Sequence, residues 1–285
     1  MQQKRLKLPT VDLTYLDAGS GPPLVLLHGW PEWSAVWRHN IPELAKRFRV
    51  LAPDLRNFGD STGAPVESVE DYVGDLAAFI DALDLRRVGL VGHDVGAFLM
   101  QDYARLEPGR LTGLFFFDCP HLGLGKRWVE GGHLRELWYQ TFHQLPIAVE
   151  LVGQSRASCR TYFRHFLTNW SHSRESFDER ALEEWVDNFL KPGRLAGGFA
   201  WYKAVNARRL AAIAGKLPPQ PRIALPAYSL WGASDRILLA SWQETLPELF
   251  DDIVLELAPE AGHFVHWEQP AIANDRISRF FSGRS

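Results

Sequence analysis

Short, uninterrupted apolar runs alternate along the chain with stretches in which apolar residues recur every three to four positions. The runs Leu24 to Leu27, Val50 to Ala52, Val88 to Val91, Leu114 to Phe117, Ala227 to Trp231 and Ile253 to Leu257 are too short for helices and too continuous for strands wetted on one side. They predict parallel strands buried on both faces. Of the helical periods between them, the clearest places Val69, Tyr72, Val73, Leu76, Ile80 and Leu83 on one face. Ser68 is set to cap this helix, and Glu70 and Asp71 fall in its first turn, where the helix dipole favours acids. Such alternation implies right-handed β-α-β crossovers. Ahead of it, Leu6 to Ala18 alternate weakly and end in a Gly/Pro turn at Gly19 to Pro23, which predicts an antiparallel pair at the sheet edge.

The alternation stops after Pro120 and resumes near Pro218. Residues 121–218 read instead as amphipathic helices separated by polar loops such as Ser171 to Glu179. We expect a helical cap over 121–218 inserted into a core of residues 1–120 and 219–285, with the proline-rich stretch Leu217 to Pro221 as the return hinge. A chain of 285 residues exceeds a typical single-core domain and suits one core plus one cap.

Composition narrows the function classes. Thirty-one Lys and Arg against 34 Asp and Glu give a net charge of -3 without a concentrated patch, so nucleic acid is not an expected partner. Met1 to Leu8 carry basic residues with no apolar segment after them, and no stretch approaches the ~18 apolar residues of a membrane helix. A soluble, cytoplasmic protein is expected, with a homodimer left open as its assembly. Cys119 and Cys159 are the two cysteines and lack metal-type spacing, so reduced thiols are expected rather than a disulfide or a metal site. Of the 11 tryptophans, Trp128, Trp138, Trp170, Trp185 and Trp201 fall within the insertion, which makes it aromatic and favours an apolar substrate.

The chemistry centres on Gly92-His93-Asp94-Val95-Gly96. This segment follows an apolar run and precedes a helical pattern, so Asp94 occupies a nucleophile elbow. A serine there would need a base before attacking, whereas an aspartate carboxylate, which ordinarily titrates at about 3.9, is already ionised at neutral pH. It is a poor acylating nucleophile but can displace at a strained or activated sp3 carbon, leaving an alkyl ester on the protein. Downstream, the run ending at Trp231 leads into Gly232-Ala233-Ser234-Asp235, and the run ending at Leu257 leads into Gly262-His263-Phe264. Both segments land past strand carboxyl ends, where an open parallel sheet forms its binding crevice. The order of nucleophile, acid and histidine suits such a sheet: His263 would take a proton from water and Asp235 would orient it. Asp118 also follows a strand and could reach the same imidazole; chain order favours Asp235, and Asp118 stands as the alternative acid. His266 is the near rival of His263 and is read as a packing residue. His28-Gly29-Trp30-Pro31 ends an earlier strand in a fixed turn where a cis bond before Pro31 is admissible. The amides of Trp30 and Val95 would then form an oxyanion hole. The segment Asp54 to Ser61 reads as a structural loop.

Together these motifs resemble the epoxide hydrolases of the α/β-hydrolase fold, and the likeness spans nearly the whole chain. The resemblance implies an eight-stranded, mostly parallel sheet flanked by helices with an inserted cap. It implies a cofactor-free, metal-free conversion of an apolar epoxide to a vicinal diol, a hydrolase reaction on an ether bond, through an ester on Asp94. In the insertion, Trp138-Tyr139-Gln140 before Gln144-Leu145-Pro146, and Trp201-Tyr202-Lys203 after Gly197-Gly198, look like the family's two tyrosine segments. On that likeness alone, Tyr139 and Tyr202 become the residues that hold and protonate the epoxide oxygen. Haloalkane and fluoroacetate dehalogenases are the runner-up, the latter resembling this chain in an acid at the Asp118 position but generally lacking the one that Asp235 supplies. Val95 departs from the epoxide hydrolases, which most often have tryptophan beside the nucleophile, and also from the two dehalogenases, which use tryptophan or arginine there. A non-catalytic binding member of the fold is the remaining alternative, disfavoured because nucleophile, acid and base are all retained.

Overall fold

A computed structural model describes residues 1–284. Among them nine strands form one sheet: β1 (Gln2–Lys7), β2 (Val11–Ala18), β3 (Pro23–Leu27), β4 (Arg49–Pro53), β5 (Thr62–Gly63), β6 (Val88–His93), β7 (Leu111–Phe117), β8 (Ala227–Gly232) and β9 (Ile253–Ala258). Eight of these lie along the path β1-β2-β4-β3-β6-β7-β8-β9, and the two-residue β5 pairs with β2 off that path. Pairing is antiparallel from β1 through β2 to β4 and parallel from β4 and β3 onward. The expected edge pair is present, beginning at Gln2 rather than Leu6.

Every residue of β6 and β7 is buried, as an unbroken apolar run predicts for a central strand. β9 departs from that expectation. Its Val254, Leu255 and Leu257 are 48%, 37% and 49% exposed, because the strand closes the sheet at one edge and its outer side lacks a neighbour. An apolar run reports strand propensity; it does not report which strand has a neighbour on each side.

The helices α1 (Ile41–Leu44), α2 (Val69–Ala82), α3 (Val95–Leu106), α9 (Val265–Glu268) and α10 (Pro270–Phe281) connect or flank the strands. In α2 the predicted start is realised: the Asp71 carboxylate accepts the Glu67 and Ser68 amides at 2.8 and 3.0 Å. Between β7 and β8 the chain forms α4 (Trp138–Phe142), α5 (Ile147–Gly153), α6 (Arg156–Asn169), α7 (Glu179–Phe189) and α8 (Arg194–Ile213). Its opening stretch, residues 122–135, is a run of 3-10 turns broken at Gly125, Gly131 and Gly132 rather than an amphipathic helix. The inserted helices pack on one another through Phe163 and Phe189, whose rings stack at 4.1 Å. They are tied to the sheet by single polar contacts: the Trp185 indole donates to the Pro31 carbonyl at 2.7 Å, Arg194 donates to the Gly59 carbonyl at 2.7 Å, and Arg208 pairs with Asp102 at 2.6 Å.

Cys119 and Cys159 are both free and buried. Burial pushes the Cys159 thiol up to about 12 and raises Cys119 well above its usual range, so both are unreactive thiols. No helix among the described residues is long and apolar enough to cross a membrane.

The first turn of α3 lies directly against the end of β3. A Cβ on Gly96 would meet the Leu27 carbonyl oxygen at 2.4 Å, and backbone cannot step aside as a side chain can. Gly96→Ala is expected to destabilise the fold by on the order of 3 kcal/mol, read as a lowered Tm and urea midpoint; an unchanged midpoint would show that the helix slides freely.

Candidate active site

Asp94 joins β6 to α3 with φ 45° and ψ -112°, a backbone conformation that L residues seldom adopt and that the surrounding structure must enforce. Three contacts enforce it. The Gly96 amide donates to the His28 carbonyl at 3.1 Å, and the Trp30 amide donates to Asp94 Oδ1 at 3.0 Å. The third contact is steric: a Cβ on Gly29 would lie 2.6 Å from Asp94 Cβ and 2.9 Å from its Oδ1, so only glycine lets the β3 turn approach this closely. The Trp30-Pro31 bond is cis. Val95 is the first residue of α3, where amides have no intrahelical acceptor.

The loops after β8 and β9 carry Asp235 and His263. His263 Nδ1 lies 2.8 Å from Asp235 Oδ2, while Asp235 Oδ1 accepts the amides of Ile237 and Leu238 at 2.7 and 3.0 Å. The carboxylate is therefore fixed from both sides. His263 Nε2 has no protein partner among the described residues, and the His263 amide donates to the Trp170 carbonyl of the insertion at 2.8 Å. Burial alone would lower the His263 pKa; the Asp235 carboxylate more than offsets it, so the imidazole titrates above its ordinary value.

Asp118 ends β7 with φ 43° and is fully buried. Its Oδ1 accepts the Gly232 amide at 2.8 Å, and its Oδ2 has no partner among the described residues. Ligand-type atoms of Asp118, Asp235 and His263 all lie within 4.8 Å of one another. Burial, reinforced by the charge on Asp235, raises the Asp118 pKa well above the carboxylate range. Burial and a neighbouring carboxylate both disfavour the charged form of Asp118, whereas the second carboxylate, Asp235, is the one in contact with the imidazole.

A second buried trio was not evident from the sequence. Glu32 Oε2 accepts the Gly29 amide at 2.8 Å and lies 2.8 Å from His93 Nδ1, while Glu32 Oε1 lies 3.1 Å from His266 Nε2. His93 Nε2 is 2.8 Å from the His263 carbonyl oxygen. Both ring nitrogens of His93 thus face an oxygen, one from Glu32 and one from the main chain of His263. Burial opposes the Glu32 charge, but the histidines prevail and hold its pKa well below normal; burial pushes His266 down to about 4. His266, expected to be a packing residue, packs its ring against Trp37 at 4.4 Å and also stands beside Glu32. The one signal in the sequence is Glu32 itself, a charged residue in an otherwise apolar turn that follows the His28-Pro31 motif. Either trio has side-chain atoms of metal-binding type.

Tyr139 on α4 and Tyr202 on α8 are both buried, their rings meeting edge to face at 5.5 Å. Tyr139 stacks on Trp30 at 5.5 Å and 11°, and the Gln140 amide donates to its hydroxyl at 3.3 Å. Burial raises both phenol pKa values, followed for Tyr139 by the Asp94 charge and for Tyr202 by Tyr139 and then Asp94. Both phenols therefore remain protonated donors. With Asp94, Phe98, Trp128 and Trp201 they line a narrow cleft of about 30 Å3. The cleft wall is not wholly apolar, since Arg209 completes it.

Comparison with known proteins places this geometry in context. The family model described as "alpha/beta hydrolase fold" matches residues 22–270. A soluble epoxide hydrolase of Corynebacterium sp. (strain C12) is 31% identical, over 94% of this chain and 93% of the relative. A haloalkane dehalogenase of Mesorhizobium japonicum is 38% identical, but over 54% of this chain and 47% of its own. The solved structure "Epoxide hydrolase CorEH without ligand" superposes with a TM-score of 0.86 at 26% identity, covering 99% of both chains.

The raised pKa of Asp118 has a consequence for stability. The native protein keeps on Asp118 a proton that the unfolded chain releases at about pH 4, so this group contributes stability at low pH that is lost as pH rises through its raised native pKa. Asp118→Asn keeps an acceptor for the Gly232 amide and cannot ionise. Urea unfolding across a pH series should show the variant gaining on the native chain as pH rises; parallel curves would mean that Asp118 is ionised when folded.

Proposed function

The chain belongs to the alpha/beta hydrolase fold family, and from that premise we propose that it is an epoxide hydrolase that works through an ester on Asp94. The epoxide oxygen accepts hydrogen bonds from Tyr139 and Tyr202 while Asp94 attacks a ring carbon. As the C–O bond breaks, the alkoxide takes a phenolic proton, and a hydroxyalkyl ester remains on the enzyme. His263, held by Asp235, then removes a proton from water, which attacks the ester carbonyl carbon. Collapse of the tetrahedral intermediate expels the second diol oxygen, which takes the proton of the new Asp94 carboxyl group, and the proton held on His263 returns to the phenolate, so that the diol leaves and every group is restored.

The observation that carries this reading is the 3.0 Å hydrogen bond from the Trp30 amide to Asp94 Oδ1. It leaves Oδ2 as the attacking oxygen and makes Oδ1 the ester carbonyl. The same amide, with that of Val95, then faces the oxyanion when water adds. The relatives named as epoxide hydrolases over most of the chain support the same choice. A dehalogenase would share the first step but needs a halide donor beside the nucleophile, where Val95 offers an aliphatic side chain. We take residues 121–218 as the cap over the core of 1–120 and 219–285, and the cytoplasm as the enzyme's setting. Whether it acts alone or as a homodimer does not alter this chemistry, since all the named residues come from one chain.

Asp94→Ala should abolish turnover. His263→Gln should open the ring but stall hydrolysis, so intact-mass spectrometry would find one substrate mass added to the protein; diol formation without that adduct would refute the ester route. In a single turnover in heavy-oxygen water the label should enter the Asp94 carboxyl group and not the diol.

Two further measurements address the proton donors and the base. Tyr139→Phe with Tyr202→Phe should slow ring opening by roughly 10²- to 10⁴-fold, seen as a smaller alkylation burst. Ester hydrolysis needs neutral His263, so its rate should rise with pH through a value above the ordinary 6.5. Asp235→Asn, which removes the charge that raises it, should shift that limb to lower pH while slowing the step.

A further inference from the structure

Arg209 lines the cleft together with Asp94, Tyr139, Tyr202 and Val205. Every arginine described in the molecule but seven has a salt bridge or a hydrogen-bonded acceptor. Those without one are Arg5, Arg47, Arg87, Arg135, Arg174 and Arg236, which are exposed, and Arg209, which is not. Its half-buried guanidinium has no ion-pair or hydrogen-bond partner among the described residues, and burial lowers its pKa with only the two phenols opposing. A cation withdrawn from water without a counter-charge is costly, and a fold keeps one where a ligand brings the opposite charge.

The setting of α8 directs this side chain. Tyr202, Val205 and Arg209 stand at i, i+3 and i+7 and therefore share one helix face. The preceding residue, Arg208, is clamped to Asp102 of α3 at 2.6 Å, which fixes the rotation of this turn. Arg209, about 100° further round, is thereby turned to the cleft. Seven residues of helix separate Tyr202 from Arg209 by roughly 10 Å along the axis. An anion at Arg209 thus belongs to the end of a substrate remote from the ring that the tyrosines hold.

We propose that Arg209 recognises a carboxylate at the far end of the substrate, so that the enzyme's substrates are epoxy acids whose hydrocarbon middle lies against the aromatic walls. This rests on the epoxide hydrolase reading and refines it: the aromatic insertion predicted an apolar substrate, and the cleft accepts an apolar body with one charged end. A single unpaired guanidinium balances one negative charge, and its planar fork matches a carboxylate.

The test compares 5,6-epoxyhexanoate with its neutral methyl ester, scoring diol from each with the native enzyme, Arg209→Gln and Arg209→Lys. The native enzyme should favour the acid in kcat/KM by about tenfold or more, as expected of a charge-assisted bidentate contact, and the preference should shrink with added salt. Arg209→Gln should reduce the acid-to-ester ratio by about tenfold whatever it does to the ester alone, and Arg209→Lys should keep part of it. Equal turnover of both probes by the native enzyme, or a ratio that Arg209→Gln leaves unchanged, overturns the Arg209 proposal and leaves the epoxide hydrolase reading intact. Diol from neither probe overturns that reading and this proposal with it.

Discussion

The structure is organised around one constraint: an aspartate must project from a strand-to-helix reversal whose backbone sits at φ 45°. Such a turn is unfavourable in isolation, and the local sequence is what makes it tolerable. Gly29 and Gly96 remove the side chains that would collide with the Asp94 carboxyl group and the β3 backbone, and the Trp30 amide holds one carboxylate oxygen. The sheet then supplies direction. β6, β7, β8 and β9 run parallel, so Asp94, Asp118, Asp235 and His263, far apart in the chain, leave the same edge of the sheet.

The polar groups around that point are matched contact by contact. Asp235 is committed to His263 and Asp118 to the Gly232 amide. Glu32 contacts His93, which in turn braces the His263 backbone. Every one of these groups is fully or nearly fully buried, and a buried charge persists only when paired and hydrogen-bonded. His263 is thus positioned by two separate polar networks, one on its ring and one on its main chain.

Much of this is legible in the sequence. Six apolar runs became parallel strands, and the period through Val69 and Leu76 became α2 with its acidic start. Those features depend on local propensity and on burial, which an apolar pattern reports. The elbow is legible because Asp94 stands between a strand and a helix in a glycine-rich frame. What stays hidden depends on neighbours distant in sequence. The exposure of β9 follows from which strand lies beside it, and the Glu32-His93-His266 trio joins a loop, the end of β6 and the helix α9. Arg209 resembles any arginine of an amphipathic helix until Arg208 is seen to face the core. Tyr139 and Tyr202 are separable from the other tyrosines by family likeness alone, and their rings meet only because α4 and α8 cross.

One contact described above bears on how such a protein could change over time. The amide of His263 is anchored on the carbonyl of Trp170, at the end of an inserted helix. The segment that shapes the substrate cleft therefore also seats the base. Substrate range and hydrolytic competence are mechanically linked, so a wholesale exchange of that segment would disturb both together. Drift in substrate preference is left to side chains that line the cleft without bearing on the Trp170 anchor, and Arg209, on a different helix, is one of them.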